Sequence, residues 1–92
     1  MRLTLEETTA RLAALVRKDL AGAELQEFAL IEDEGTENAY IVRWAMTEGV
    51  PFDQYGTHRA CLAEDGRSML VWGHYTQDEE NAKADYADRL RK

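Results

Sequence analysis

The chain has little of what usually announces a mechanism. It contains a single cysteine, Cys61, so no internal disulfide can form and nothing points to secretion. It has one proline, Pro51, and no apolar run near the ~20 residues a membrane-spanning helix needs. No apolar targeting core opens the chain, and Glu6 and Glu7 argue against a transit peptide. These absences make the cytoplasm the default expectation. There is no Gly-rich phosphate loop, no Gly-x-Ser-x-Gly elbow and no His/Cys/Asp spacing suited to zinc, so no catalytic, cofactor or metal residue is assigned.

Positive charge is also scarce. Eleven Lys and Arg face eighteen Asp and Glu, for a net charge of −7. No Lys or Arg lies between Lys18 and Arg43, an interval that holds Asp19, Glu24, Glu27, Glu32, Asp33, Glu34 and Glu37. Such a surface repels nucleic-acid phosphates and anionic membranes, and it attracts a basic protein. The acids otherwise serve as a solubilising face.

What is present reads as one α+β domain of 92 residues, with 45% hydrophobic and 32% charged residues. Thr4-Leu5-Glu6-Glu7 is a capping box. Leu5, Thr8, Leu12, Leu15, Val16 and Leu20 follow at helical spacing, and Gly22 is a natural stop, so a helix is predicted over Leu5 to Ala21. A strand is predicted over Glu24 to Glu32, then a turn over Asp33 to Asn38. From Ala39 to Thr47 the alternation places Tyr40, Val42, Trp44 and Met46 on one side. Pairing Phe28 with Val42 or Trp44 requires an odd number of loop residues. The stretch Glu48 to Gly56 reads as irregular.

Thr57 to Tyr75 reads as a hairpin closed on Asp65-Gly66, with Glu64 facing Arg67. A two-residue loop pairs Leu62 with Met69, Cys61 with Leu70 and Arg59 with Trp72. The core face is then Ala60, Leu62, Met69 and Val71, and the outer face carries Thr57, Arg59, Cys61, Leu70, Trp72 and His74. Thr76-Gln77-Asp78-Glu79 repeats the capping-box pattern before a second helix with a thin stripe of Ala82, Tyr86 and Leu90. The expected architecture is a four-stranded antiparallel meander, order α-β-β-β-β-α, with both helices packed on one face.

Three functional readings follow. The first is a non-catalytic protein-binding module, an inhibitor or adaptor that covers a basic nucleic-acid-handling partner in anti-restriction or anti-CRISPR fashion. Its contact residues are Trp72, Arg59, Leu70, Ile41 and Arg43 on the outer sheet face, with Glu32, Asp33, Glu34 and Glu37 in the acidic interval. The second is a homodimer or larger homo-oligomer that buries the same face. The third is a small-molecule binder or enzyme built on His58, His74 and the Phe52–Tyr55 loop. Cys61 and His74 share a face in this register but stand about 13 Å apart at ~3.3 Å per residue, too far for a thiol–imidazole hydrogen bond. Cys61 is therefore read as a small apolar residue.

Overall fold

A computed structural model describes residues 1–47 and 53–91. Its first helix, α1 (Leu5–Asp19), starts on the expected box. The Glu7 amide donates to Thr4 Oγ1 and the Thr4 amide donates to Glu7 Oε1, each at 3.0 Å. Leu12, Leu15 and Val16 are buried, whereas Leu5 is 75% exposed. Gly22, at φ 90°, turns the chain into β1 (Ala23–Asp33).

The sheet continues through β2 (Glu37–Met46), β3 (Tyr55–Ala63) and β4 (Ser68–Thr76), and α2 (Glu79–Leu90) closes the order α-β-β-β-β-α. The strands lie in the order β1-β2-β3-β4, each antiparallel to its neighbour. This is the expected meander. Among the described residues no helix is long and apolar enough to cross a membrane. Phe52, in the loop read above as a binding candidate, lies outside the described residues.

Phe28 pairs with Val42 as the hydrophobic pattern requires. The loop is not what brings this about. The last ladder pair, Asp33 with Asn38, encloses four residues, and a bulge at Ile31 restores the phase.

Tyr40, Val42 and Trp44 face α1 and form the core with Leu12, Leu15, Val16, Ala60 and Leu62. Arg11 ties α1 to the second hairpin, donating to the carbonyls of Ala63 at 3.0 Å and Arg67 at 3.4 Å.

The two helices do not share this face. Arg43 and Thr57 pair across β2 and β3 on the side opposite Trp44, and both meet α2. Thr57 Oγ1 donates to Asp85 at 2.5 Å, and Arg43 Nη1 lies 4.0 Å from Glu79. The expectation of both helices on one face is corrected to one helix on each. A polar row on the sheet (Arg43, Thr57, His74) suits the acidic, weakly apolar α2 better than the greasy face that α1 already fills.

The α2 cap also moves. Asp78, not Thr76, is the N-cap and accepts from the Glu80 amide at 2.9 Å, while Thr76 Oγ1 accepts from the Asp78 amide at 3.2 Å. The i,i+4 pairs Glu79–Lys83 and Asp85–Arg89 form as expected, at 4.0 Å and 3.6 Å.

Candidate functional site

The second hairpin departs from its expected register, and the departure builds the site. Only Gly66 in its turn has positive φ, 95°, whereas a two-residue I′ turn needs positive φ at both central positions. The chain instead makes a three-residue loop, Glu64-Asp65-Gly66, with the Ala63 amide donating to the Arg67 carbonyl at 2.8 Å and the Gly66 amide to the Ala63 carbonyl at 3.1 Å. Arg67 pairs with Asp65, at 2.7 Å, instead of facing Glu64 as an ion-pair partner.

The slip of one residue reverses the faces of Met69, Leu70 and Val71. Leu62 now opposes Ser68, Cys61 opposes Met69, Ala60 opposes Leu70 and Arg59 opposes Val71. Leu70 packs against the core and is removed from the outer contact surface; Met69 is exposed.

The slip is undone two residues later. Thr57 opposes His74 as expected, because Trp72 and Gly73 together face His58 in a bulge. Trp72 occupies the left-handed region at φ 52°, the one non-glycine among the described residues to do so. Gly73 is required beside it, since a Cβ there would stand 2.4 Å from His58 Nε2.

The bulge turns the Trp72 indole outward, 71% exposed. The Arg59 guanidinium lies 5.5 Å from its ring centroid, the expected cation–π pair, and Glu32 holds the same guanidinium at 3.2 Å. From α2, Arg89 donates to the Trp72 carbonyl. An open groove of about 400 Å³ runs beside the indole, lined by Ile31, Glu32, Ile41, Arg59, His74 and Arg89.

Two other residues expected on an open surface are covered. Ile41 is 5% exposed, and Arg43 is 8% exposed beneath α2, where Nε binds Glu27 at 2.6 Å. The acidic interval is partly used internally as well, through Glu27–Arg43, Glu32–Arg59 and an ion pair of Asp33 with the Met1 amino group at 2.8 Å. Glu34 and Glu37 remain exposed in the first turn. They meet the second turn where the Glu64 amide donates to the Thr36 carbonyl at 2.7 Å, and an open cleft of about 430 Å³ bounded by Glu37, Glu64, Asp65 and Arg67 lies between the two.

The two histidines sit on opposite faces, as the alternation implied. His74 lies against α2, with Nδ1 at 2.9 Å and 3.0 Å from the two Asp85 oxygens and 3.2 Å from Arg89 Nε. One nitrogen cannot donate to Asp85 and accept from Arg89 together. Two carboxylate oxygens within 3.0 Å favour the proton on Nδ1, leaving Arg89 Nε to Asp85 at 3.6 Å. Burial acts to raise the Asp85 carboxyl, but hydrogen bonds from Thr57 and His74 and the charges of His74 and Arg89 outweigh it and hold the pKa low. The arrangement orients an imidazole, yet the Thr57 hydroxyl serves Asp85 and is not activated by the ring.

His58 is enclosed. It accepts from Trp44 Nε1 at 3.0 Å through Nδ1, so its single proton sits on Nε2 and points to Tyr75 Oη at 3.1 Å. Burial first, then the nearby charges of Arg89 and His74, depress its pKa below the usual 6.5. The unfolded chain takes up this proton as pH falls through about 6.5, and the folded chain resists until lower pH. Stability should therefore fall from pH 7.5 to pH 5, before most carboxylates titrate. In urea titrations at the two pH values, His58→Gln should flatten that part of the profile. An unchanged slope would place the responsible group elsewhere.

Burial pushes the Cys61 thiol up, and Glu37 adds to the shift. Among the described residues no group of three His, Cys, Asp or Glu side chains could hold a metal ion. Compared with known proteins, the chain matches no family model, no curated protein and no solved structure.

Proposed function

We propose that the protein is a non-catalytic protein-binding module that recognises a basic partner, such as a nucleic-acid-handling protein, by occupying its surface. The observation that carries this reading is Trp72. A left-handed backbone costs a bulky residue roughly 1–2 kcal/mol, and an exposed indole gives back little of that through burial. Arg59, Arg89 and the Gly73 bulge nevertheless hold it in place beside a groove. Trp and Arg are the residue types most enriched at binding hot spots. Glu32 lies in the groove beside Arg59, and Glu34 and Glu37, exposed at the turn end of the sheet, add the negative charge that would steer a basic partner and set its register.

The test compares wild-type and Trp72→Ala protein as immobilised bait, at 50 and 300 mM salt. A basic protein should be retained by the wild type, and its recovery should fall several-fold at high salt and in the folded variant. Equal recovery by both baits would move the contact surface away from Trp72, and insensitivity to salt would remove the electrostatic part. Light scattering at micromolar concentration separates the remaining case: a dimer that dissolves in Trp72→Ala would make a second copy the partner.

The strain itself is measurable. Trp72→Gly and Trp72→Ala lose the same indole, but only Gly accepts φ 52° without cost. The Gly variant should be the more stable by about 1 kcal/mol in urea unfolding. If Ala is equal or better, the bulge is not strained at Trp72.

A further inference from the structure

We propose that α2 is a separable strap whose docking controls the Trp72 surface; this rests on the reading of Trp72 given above and names its regulation. The two helices are held very differently. Leu12, Leu15 and Val16 seal α1 into the core, whereas α2 buries only Ala82 and Tyr86. The rest of its attachment is polar: Asp85 to Thr57 and His74, Arg89 to the Trp72 carbonyl, and Glu79 towards Arg43.

One of these contacts is incomplete. Arg43 Nη1 is buried with no hydrogen-bond acceptor among the described residues, and Glu79, at 4.0 Å, is too far to serve as one. Glu27 pairs the charge through Nε, but a buried N–H left without an acceptor still opposes the docked state, and release of α2 would open Nη1 to water. Release would not disturb the core, which lies on the other face of the sheet. It would uncover Arg43 and Thr57 and take away the Arg89 clamp that sits on the carbonyl of the left-handed residue. Docked α2 therefore presents the Trp72 indole in one orientation, and undocked α2 frees the bulge to relax.

Native-state hydrogen exchange on the full chain tests the strap without any partner. The slowest α2 amides should exchange at least ~100-fold faster than those of Val42 and Ala60, while Leu15 and Val16 share the slow rate of the sheet. Equal protection of α2 and β2 would make the molecule one cooperative unit and overturn the proposal. Asp85→Asn should speed exchange in α2 by ~10-fold and leave α1 and β2 unchanged; uniform acceleration would likewise overturn it. Control of the site is read from the two indole N–H resonances. In Asp85→Asn the Trp72 signal should move and the Trp44 signal, bonded to His58, should stay. A stationary Trp72 signal beside a loosened α2 would overturn the coupling. None of these readouts depends on a binding partner, so failure of the recognition reading and failure of the strap are distinguishable.

Discussion

Trp44→Ala should remove most of the stability of this domain, about 3–5 kcal/mol from the lost indole and its cavity. A chain of this size has roughly 5–10 kcal/mol in total. Trp44 is 2% exposed and among the largest fully buried side chains. It packs at 5.7 Å from the Tyr75 ring and 6.1 Å from the His58 ring. Its N–H is also the donor that satisfies His58 Nδ1. Alanine would therefore leave both a void and an unpaired acceptor in a buried site, and the second adds to the first. Trp44→Phe keeps much of the volume and should lose less. Urea unfolding followed by circular dichroism measures both. A loss below about 1 kcal/mol for the alanine variant would mean that the indole does not support the core.

The parts of the fold legible in the sequence are those where one local pattern admits one answer. The Thr4–Glu7 box and the Leu12–Val16 stripe define α1, and the strict alternation from Tyr40 to Met46 assigns the core face of β2. The run Met69-Leu70-Val71-Trp72 is apolar in both phases, so hydrophobicity could not choose its register. The choice fell to the backbone of Asp65, which stays out of the left-handed region and lengthens the turn. The side taken by α2 was hidden for a different reason. Ala82 and Tyr86 report that a stripe exists, not which sheet face receives it. The decisive match is polar, between Asp85 and the Thr57–His74 pair, and depends on residues brought together only by the finished sheet. Of the candidate site, the contact of Arg59 with Trp72 was expected from a direct cross-strand pairing that the structure gives to Val71 instead, and it is the bulge that restores the contact. Arg89 was not, because its target is a carbonyl presented by the bulge.

Gly56→Ala should be nearly as damaging as the loss of Trp44, at about 3 kcal/mol, although it adds a single methyl group. Gly56 pairs with Trp44 on one side and with Tyr75 on the other, in the middle of the sheet. A Cβ there would stand 2.5 Å from the His74 carbonyl oxygen, 2.5 Å from Trp44 Cζ2 and 2.9 Å from Trp44 Cε2. The carbonyl is backbone of β4, and the indole is locked by burial and by its bond to His58, so neither can step aside cheaply. Overpacking of a tight core commonly costs ~1–3 kcal/mol, and two rigid neighbours put this site at the upper end. Gly35→Ala is the control: nothing lies within 4 Å of its Cβ, and only its positive φ of 83° opposes the change, at ~1–2 kcal/mol. The clash with the indole also predicts coupling. In the Gly56→Ala background, Trp44→Phe removes the ring atoms that the new methyl meets, and it should cost at least ~1 kcal/mol less than in the wild type. Additive losses in that double-mutant cycle, or a loss under about 1 kcal/mol for Gly56→Ala alone, would show that the strand can shift to admit a side chain. The contact between Gly56 and Trp44 would then not be what seats the indole over His58.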